Sequence, residues 1–247
     1  MFLLEGGNVF KDAKGQPLTS RISRENVVPT VQWLEQLTGL NLQDNMLGTT
    51  GRAATSGDLD LGVDATKISK DVLIKHLLKR GVSDKDIRKS GDAVHLKTPI
   101  LGDSNNGYVQ TDFMFTENPA WQHFALTGGA EGSQFKGLHR HILLSSIAKA
   151  QNMKWSPKSG LIDRATNEVI STDPKEVAVT LLGPGHTAKD LTTVETVIKA
   201  IKGRADFETL VKDAKESFEK DNLVLPESGP LPGTGAWYRQ FVDMRSL

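Results

Sequence analysis

Asp58 and Asp60 stand one residue apart in the stretch TSGDLDLGVD, residues 55–64. Read as a β-strand, this stretch puts Leu59, Leu61 and Val63 on one face and Asp58, Asp60, Gly62 and Asp64 on the other. Asp is depleted from strands, so this pattern calls for a compensating charge. In an extended chain the α-carbons of the two aspartates lie about 6.5–7 Å apart, which lets both carboxylates reach one or two shared divalent cations. Mg²⁺ takes hard oxygen ligands and keeps room for substrate phosphates. A third carboxylate is expected from a neighbouring strand. Asp112, isolated among the apolar and aromatic residues of YVQTDFMF, offers one. Just upstream, Gly48, Thr49, Thr50 and Gly51 permit close backbone approach, and their amides and hydroxyls can hold phosphate oxygens. Arg52 adds a fixed positive charge. This set suits phosphoryl transfer with two metal ions. A lone D-x-D is common at solvated strand ends; the loop before it and the aspartate after it distinguish this one. Asp64, nearer the strand's end, reads as a cap for the segment after it.

The elements that must position these residues follow from periodicity. Residues 1–27 are polar and turn-rich, an N-terminal arm or hairpin. VVPTVQWLEQLTGL (27–40) spaces Val31, Leu34, Leu37 and Leu40 as a helical stripe, with Pro29 in the first turn and Gly39 at the end. NMLGTTGRAATSGDLDLGVD reads as strand, small-residue loop, strand. SKDVLIKHLLKRG (69–81) is an amphipathic helix with Ser69 as cap, Val72, Leu73, Leu77 and Leu78 as its apolar face, and Gly81 as its stop. DAVHLKTPI and GYVQTDFMFT alternate as strands around the turn LGDSNN. After residue 117 the character changes. PAWQHFAL and FKGLHRHILLSSIAKAQN read as helices, MKWSPKSGLIDRATNEVIS as a small hairpin turning at ATNE, and 174–182, 190–202 and 206–221 as helices. PESGPLPGTG is a linker-like stretch before the last residues.

Composition narrows the class. The 247 residues carry 30 Lys or Arg against 30 Asp or Glu, so nucleic-acid contact must use a local patch rather than overall charge. Residues 65–100 hold such a surplus, nine basic residues against four Asp. It suits a phosphate-backbone groove or the solvated face of a helix. Cysteine is absent, which excludes disulfide-linked partners, thiolate zinc sites and thiol nucleophiles. The chain shows no signal-peptide pattern and no apolar run of membrane-spanning length. The expectation is a cytoplasmic or otherwise intracellular protein without a membrane partner, whether of a cell, a mobile element or a virus. The six histidines lack metal-binding spacing, and His139 and His141 are read as helix surface or, for one of them, a primer or phosphate contact. The four tryptophans are read as packing residues.

These residues resemble the DNA polymerase β-like nucleotidyltransferase superfamily. Its signature is glycine-serine, a short loop, an Asp-apolar-Asp strand and a third aspartate on a later strand. Here these are Gly48-Thr49, Asp58-Leu59-Asp60 and Asp112, and TSGDLDL is similar to the version in family X DNA polymerases. Thr49 stands where serine is usual and keeps the hydroxyl; the loop is about one residue short. HFALTGG, with Phe124, Thr127, Gly128 and Gly129, resembles the turn beside the nucleotide's sugar. FKGLHRHI, with Phe135, Lys136 and Arg140, resembles the start of the helix that covers the nascent base pair. Residues 152–183 are similar in order to the family's thumb.

The resemblance implies an α+β fold. A palm-like mixed sheet with flanking helices over 28–135 would be followed by a mostly helical, thumb-like region with a small hairpin over 136–222. An arm (1–27) and a tail (223–247) flank them. It implies two Mg²⁺ ions, with Mn²⁺ as a substitute, on Asp58, Asp60 and Asp112. A nucleoside triphosphate would be held by Gly48, Thr49, Arg52, Ser56, Gly57, Thr127, Gly128, Lys136 and Arg140. No helix-hairpin-helix motif stands in the 47 residues before Gly48, so the family's N-terminal DNA grip is expected to be removed or replaced. LLGPGHTAKDL offers Gly183 and Gly185 as a DNA-binding hairpin, or as an ordinary helix-loop-helix corner. The implied activity is a minimal DNA polymerase adding dNMP from dNTP to a DNA 3′ end with release of pyrophosphate. Transfer to RNA ends, protein or a small molecule is the alternative, and a non-catalytic nucleic-acid-binding module is the third reading.

Overall fold

In a computed structural model, residues 8–127, 133, 135, 137–221 and 223 are described. The chain is α+β and divides into two compact units, Met1–Pro119 and Ala120–Leu247.

The first unit is built on one mixed sheet. Its arm folds back on itself through a bridge between Lys11 and Pro17, then gives a two-residue strand β1 (Ile22–Ser23). Helix α1 (Arg24–Thr38) ends where Gly39 takes a left-handed conformation and its amide closes on Glu35. The helix starts before the expected residue 27, so Pro29 lies inside it rather than in its first turn. Strand β2 (Thr55–Ser56) pairs with β1, and β3 (Asp58–Asp64) comes next. The strand expected before the glycine-threonine loop is only a single bridge, Met46 to Leu61.

Helix α2 (Lys70–Lys79) is capped by Ser69 Oγ, which accepts from the Val72 amide at 3.3 Å. Its buried face is Leu73 and Leu77 with Ile74 beside them, while Val72 and Leu78 are exposed, against expectation. Strands β4 (Ile87–Ser90), β5 (Ala93–Pro99) and β6 (Tyr108–Thr116) complete the sheet. The order is β3-β6-β5-β4, with β3 parallel to β6 and the other neighbours antiparallel. Leu59, Leu61 and Val63 of β3, Val94 and Leu96 of β5, and Val109, Phe113 and Phe115 of β6 share one core with Val27, Val31 and Leu34 of α1. Period-two alternation therefore sends the intervening residues, Asp58, Asp60, Gln110, Asp112 and His95, to the opposite face.

The second unit has its own core. Helix α3 (Pro119–Thr127) gives it Trp121 and Ala125, so the two cores part at Pro119, ahead of the expected border at 135/136. Helix α4 (Gly137–Ala150) comes after it. The expected hairpin is a three-stranded antiparallel sheet of β7 (Met153–Ser156), β8 (Gly160–Asp163) and β9 (Val169–Ser171). ATNE does occupy one of its turns; Ala165 and Thr166 amides donate to Asp163 Oδ1. Helices α5 (Pro174–Leu182), α6 (Val194–Ile201) and α7 (Phe207–Lys220) close the unit. Trp121 and Trp155 meet edge to face at 5.0 Å within the core, as packing residues should. Trp237 and the linker-like tail lie outside the described residues.

His139 and His141 are core residues, not helix surface. Burial first, and then the Arg140 charge, pushes His141 down to about 3, and its Nδ1 accepts from Trp155 Nε1 at 3.0 Å. The tight point of this unit is Gly160. Its φ is +95°, and a Cβ there would lie 2.4 Å from the Ser171 carbonyl oxygen. Gly160→Ala is therefore expected to cost at least ~2 kcal/mol, because left-handed strain and a backbone clash coincide. A urea melt checks it, and an unchanged midpoint would refute it.

Candidate metal centre

The register of the sheet assembles the acidic residues. Asp60 lies directly beside Asp112 across the parallel β3–β6 pair, and Asp58 lies beside Gln110. Asp58, Asp60 and Asp112 each present a ligand oxygen, all within 4.8 Å of one another. Asp112 is buried, and the other two are partly covered.

Three carboxylates this close oppose one another. Burial, then the Asp112 charge, raises the Asp58 carboxyl above its ordinary value, with Arg21 offsetting part of the shift. Asp60 is raised well above its ordinary value, first by burial and then by the charges of Asp58 and Asp112. Such a group calls for a cation or a proton. The donor set is all carboxylate oxygen with no nitrogen or sulfur ligand, which fits a hard divalent cation such as Mg²⁺ or Mn²⁺. Asp64 behaves otherwise. Its Oδ1 accepts from the amide and hydroxyl of Thr66, its carboxyl is held below its ordinary value chiefly by that hydroxyl, and it caps the turn after β3.

The loop before β3 is stitched onto the site. Leu47 N donates to Asp60 O at 2.9 Å, and Asp60 N donates to Thr50 Oγ1 at 3.0 Å. This pins Gly48 against the metal centre: a Cβ there would lie 3.6 Å from Asp60 Oδ2, and its φ is +58°. Thr49 is exposed, and its carbonyl accepts from the amides of Arg52 and Ala53, winding the turn. Arg52 and Gly57 are exposed. Ser56 is buried, its Oγ 3.4 Å from Thr49 O, so it braces the loop. Gly48, Thr49, Arg52, Ser56 and Gly57 thus share the first unit with the three aspartates.

The remaining expected residues belong to the second unit. Thr127 is buried, and its hydroxyl turns back to the His123 carbonyl. Arg140 is buried, and its Nη2 donates to Ala125 O at 3.0 Å, tying α4 to the end of α3. Burial alone lowers its guanidinium to about 10. Gly183 ends α5, and both Gly183 and Gly185 have positive φ, +108° and +86°, with open space where a Cβ would go. A 3₁₀ turn over Ala188–Leu191 separates this corner from α6. Gly128 and Lys136 lie outside the described residues.

Sequence reasoning missed three residues near the aspartates. His95 Nδ1 lies 2.7 Å from Asp112 Oδ1, and its Nε2 lies 2.6 Å from Ser90 Oγ. Gln110 Nε2 donates to Asp112 Oδ1 at 3.0 Å. Arg21 is held by Thr55, through Nε to the hydroxyl and Nη2 to the carbonyl, both at 3.0 Å. That places its Nη1 3.3 Å from where a Gly57 Cβ would be, beside Asp58. The signal for His95 was its place among the outward positions of DAVHLKTPI; for Arg21 there was none.

No protein-family model matches this chain, and no curated protein matches it. The functional reading therefore rests on the site itself. Among the described residues, no helix is long and apolar enough to cross a membrane.

Proposed function

We propose that this chain is a divalent-metal-dependent nucleotidyltransferase that adds a nucleotide to a DNA 3′ end. One observation carries the reading: two alternating aspartates and a third from the adjacent parallel strand converge within 4.8 Å, with a glycine-threonine loop fastened against one of them. Asp58, Asp60 and Asp112 hold the metal. The Gly48–Arg52 turn and Gly57 receive the triphosphate, with Ser56 bracing the turn from beneath. Arg21, preset by Thr55, supplies a positive charge on the same side.

In the reaction, the 3′ oxygen bonds to the α-phosphorus and the bond from that phosphorus to the bridging oxygen of the β-phosphate breaks. Pyrophosphate carries away the electron pair, and the hydroxyl proton passes to water. Bound divalent cations supply the lowered pKa of the attacking hydroxyl and offset the charge of the leaving pyrophosphate. The protein's part is to fix three carboxylates and a phosphate-receptive turn before substrate arrives.

The test is incubation with labelled dNTPs or NTPs, Mg²⁺ or Mn²⁺, and single-stranded and templated DNA and RNA primers. Extension of DNA primers by dNMP is expected. Labelling of RNA ends or of the protein itself instead would reassign the acceptor. No transfer under any condition would overturn the transferase reading and leave a binding module.

A further inference from the structure

We propose that His95 is a positioning residue for Asp112, holding that carboxylate turned toward the metal; the inference rests on the metal site proposed above. Asp60, Asp112 and His95 form one row across three adjacent strands, Asp60 beside Asp112 on β3–β6 and His95 beside Asp112 on β6–β5. Asp112 thus faces repulsion on one side and a hydrogen-bond donor on the other.

The donor side is complete. His95 is only 5% exposed, and its Nδ1 reaches Asp112 Oδ1 at 2.7 Å. An ionised carboxylate only accepts, so this nitrogen carries the hydrogen. The far side of the ring is fixed by Ser90 Oγ on β4, 2.6 Å from Nε2. Gln110, two residues before Asp112 and on the same face, donates to both carboxylate oxygens, at 3.0 and 3.3 Å. Gln110 is itself oriented by the arm, since Val9 N donates to its Oε1 at 2.9 Å. One chain of bonds therefore runs from Val9 through Gln110 to Asp112, and a second from Ser90 through His95 to the same carboxylate. A carboxylate next to two others would otherwise swing away from them. Hydrogen-bond partners of metal ligands typically contribute 10–100-fold to metal affinity by this restraint.

Two substitutions separate positioning from space-filling. His95→Phe keeps the ring volume and removes the bond. His95→Asn keeps a nitrogen donor near the Nδ1 position and loses volume. Mn²⁺ binding to the purified full chain, without nucleotide, is measured by electron paramagnetic resonance of free Mn²⁺, with circular dichroism reporting the fold. The positioning role predicts that H95F weakens Mn²⁺ binding by ~10–100-fold while H95N stays near the wild type. H95F binding as tightly as the wild type, or no more weakly than H95N, would overturn it. Should H95F not fold, Ser90→Ala releases only the ring's outer anchor at an exposed position, and is expected to weaken Mn²⁺ in the same direction by less. Unchanged affinity there would also overturn the proposal. A wild type that takes up no Mn²⁺ would overturn the metal site and this inference together. The expected Mn²⁺ ranking without nucleotide transfer would leave the inference standing and remove only the transferase reading.

Discussion

Asp112→Asn is expected to lower nucleotidyl transfer by about a thousandfold or more while the protein keeps its fold, because a metal ligand supplies several kcal/mol of charge stabilisation to the reacting groups. The expectation of an intact fold is specific to this site. Asp112 is buried, yet an asparagine retains an oxygen at the position that accepts from His95 Nδ1. It also relieves the repulsion that raises Asp58 and Asp60. Single-turnover primer extension measures the loss, and thermal melting and circular dichroism report the fold. A D112N protein that extends primers at the wild-type rate would remove Asp112 from the centre.

Asp60→Asn should raise stability in the absence of metal. In the wild type without divalent cation, the Asp60 carboxyl is raised in the folded state above its ordinary value of 3.8. A raised acid favours folding fully only below the ordinary value, and that contribution is lost as pH climbs through the folded-state value. The asparagine has no such loss. The stability of D60N relative to the wild type in EDTA is therefore expected to grow from near pH 4 upward, reaching on the order of 1–4 kcal/mol once the wild-type carboxyl ionises. Adding Mg²⁺ shifts the comparison toward the wild type. The wild type gains roughly 2.7 kcal/mol at a hundredfold excess over Kd, and D60N gains little. Melting temperatures across pH, with and without Mg²⁺, check both halves. A difference flat in pH would sink the electrostatic account, and an equal Mg²⁺ gain in both proteins would place the cation elsewhere.

The aspartates were legible because a strand's period of two is unambiguous: Leu59, Leu61 and Val63 point to the core, which leaves Asp58 and Asp60 no other face. The partner from β6 was legible for the same reason. His95 was not, because its role needs the pairing register of β5 on β6, and many registers satisfy the same alternation. On α2 the stripe was read one position off, since Ile74 serves the core better than the exposed Val72. On α4 the histidines misled because polar residues signal a solvent face only when the helix has one. This helix buries His139, Arg140 and His141 in succession, with His141 Nδ1 accepting from Trp155 and Arg140 Nη2 donating to the end of α3. The three-stranded sheet looked like one hairpin because only the turn at ATNE, between β8 and β9, was recognised, whereas the tight reversal from Ser156 to Gly160 also pairs two strands, β7 with β8.

The parallel pairing of β3 with β6 has a consequence for the order of folding events. Between Asp64 and Tyr108 lie α2, β4 and β5, so the strand bearing Asp112 returns beside Asp60 only across a long intervening stretch of chain. Contacts of such sequence separation close late. Until they do, the chain presents only the two alternating carboxylates of β3, and the third waits on β6. A cation would therefore recognise the finished sheet rather than guide its assembly. Its effect would fall on how slowly the protein unfolds, with little on how fast it folds.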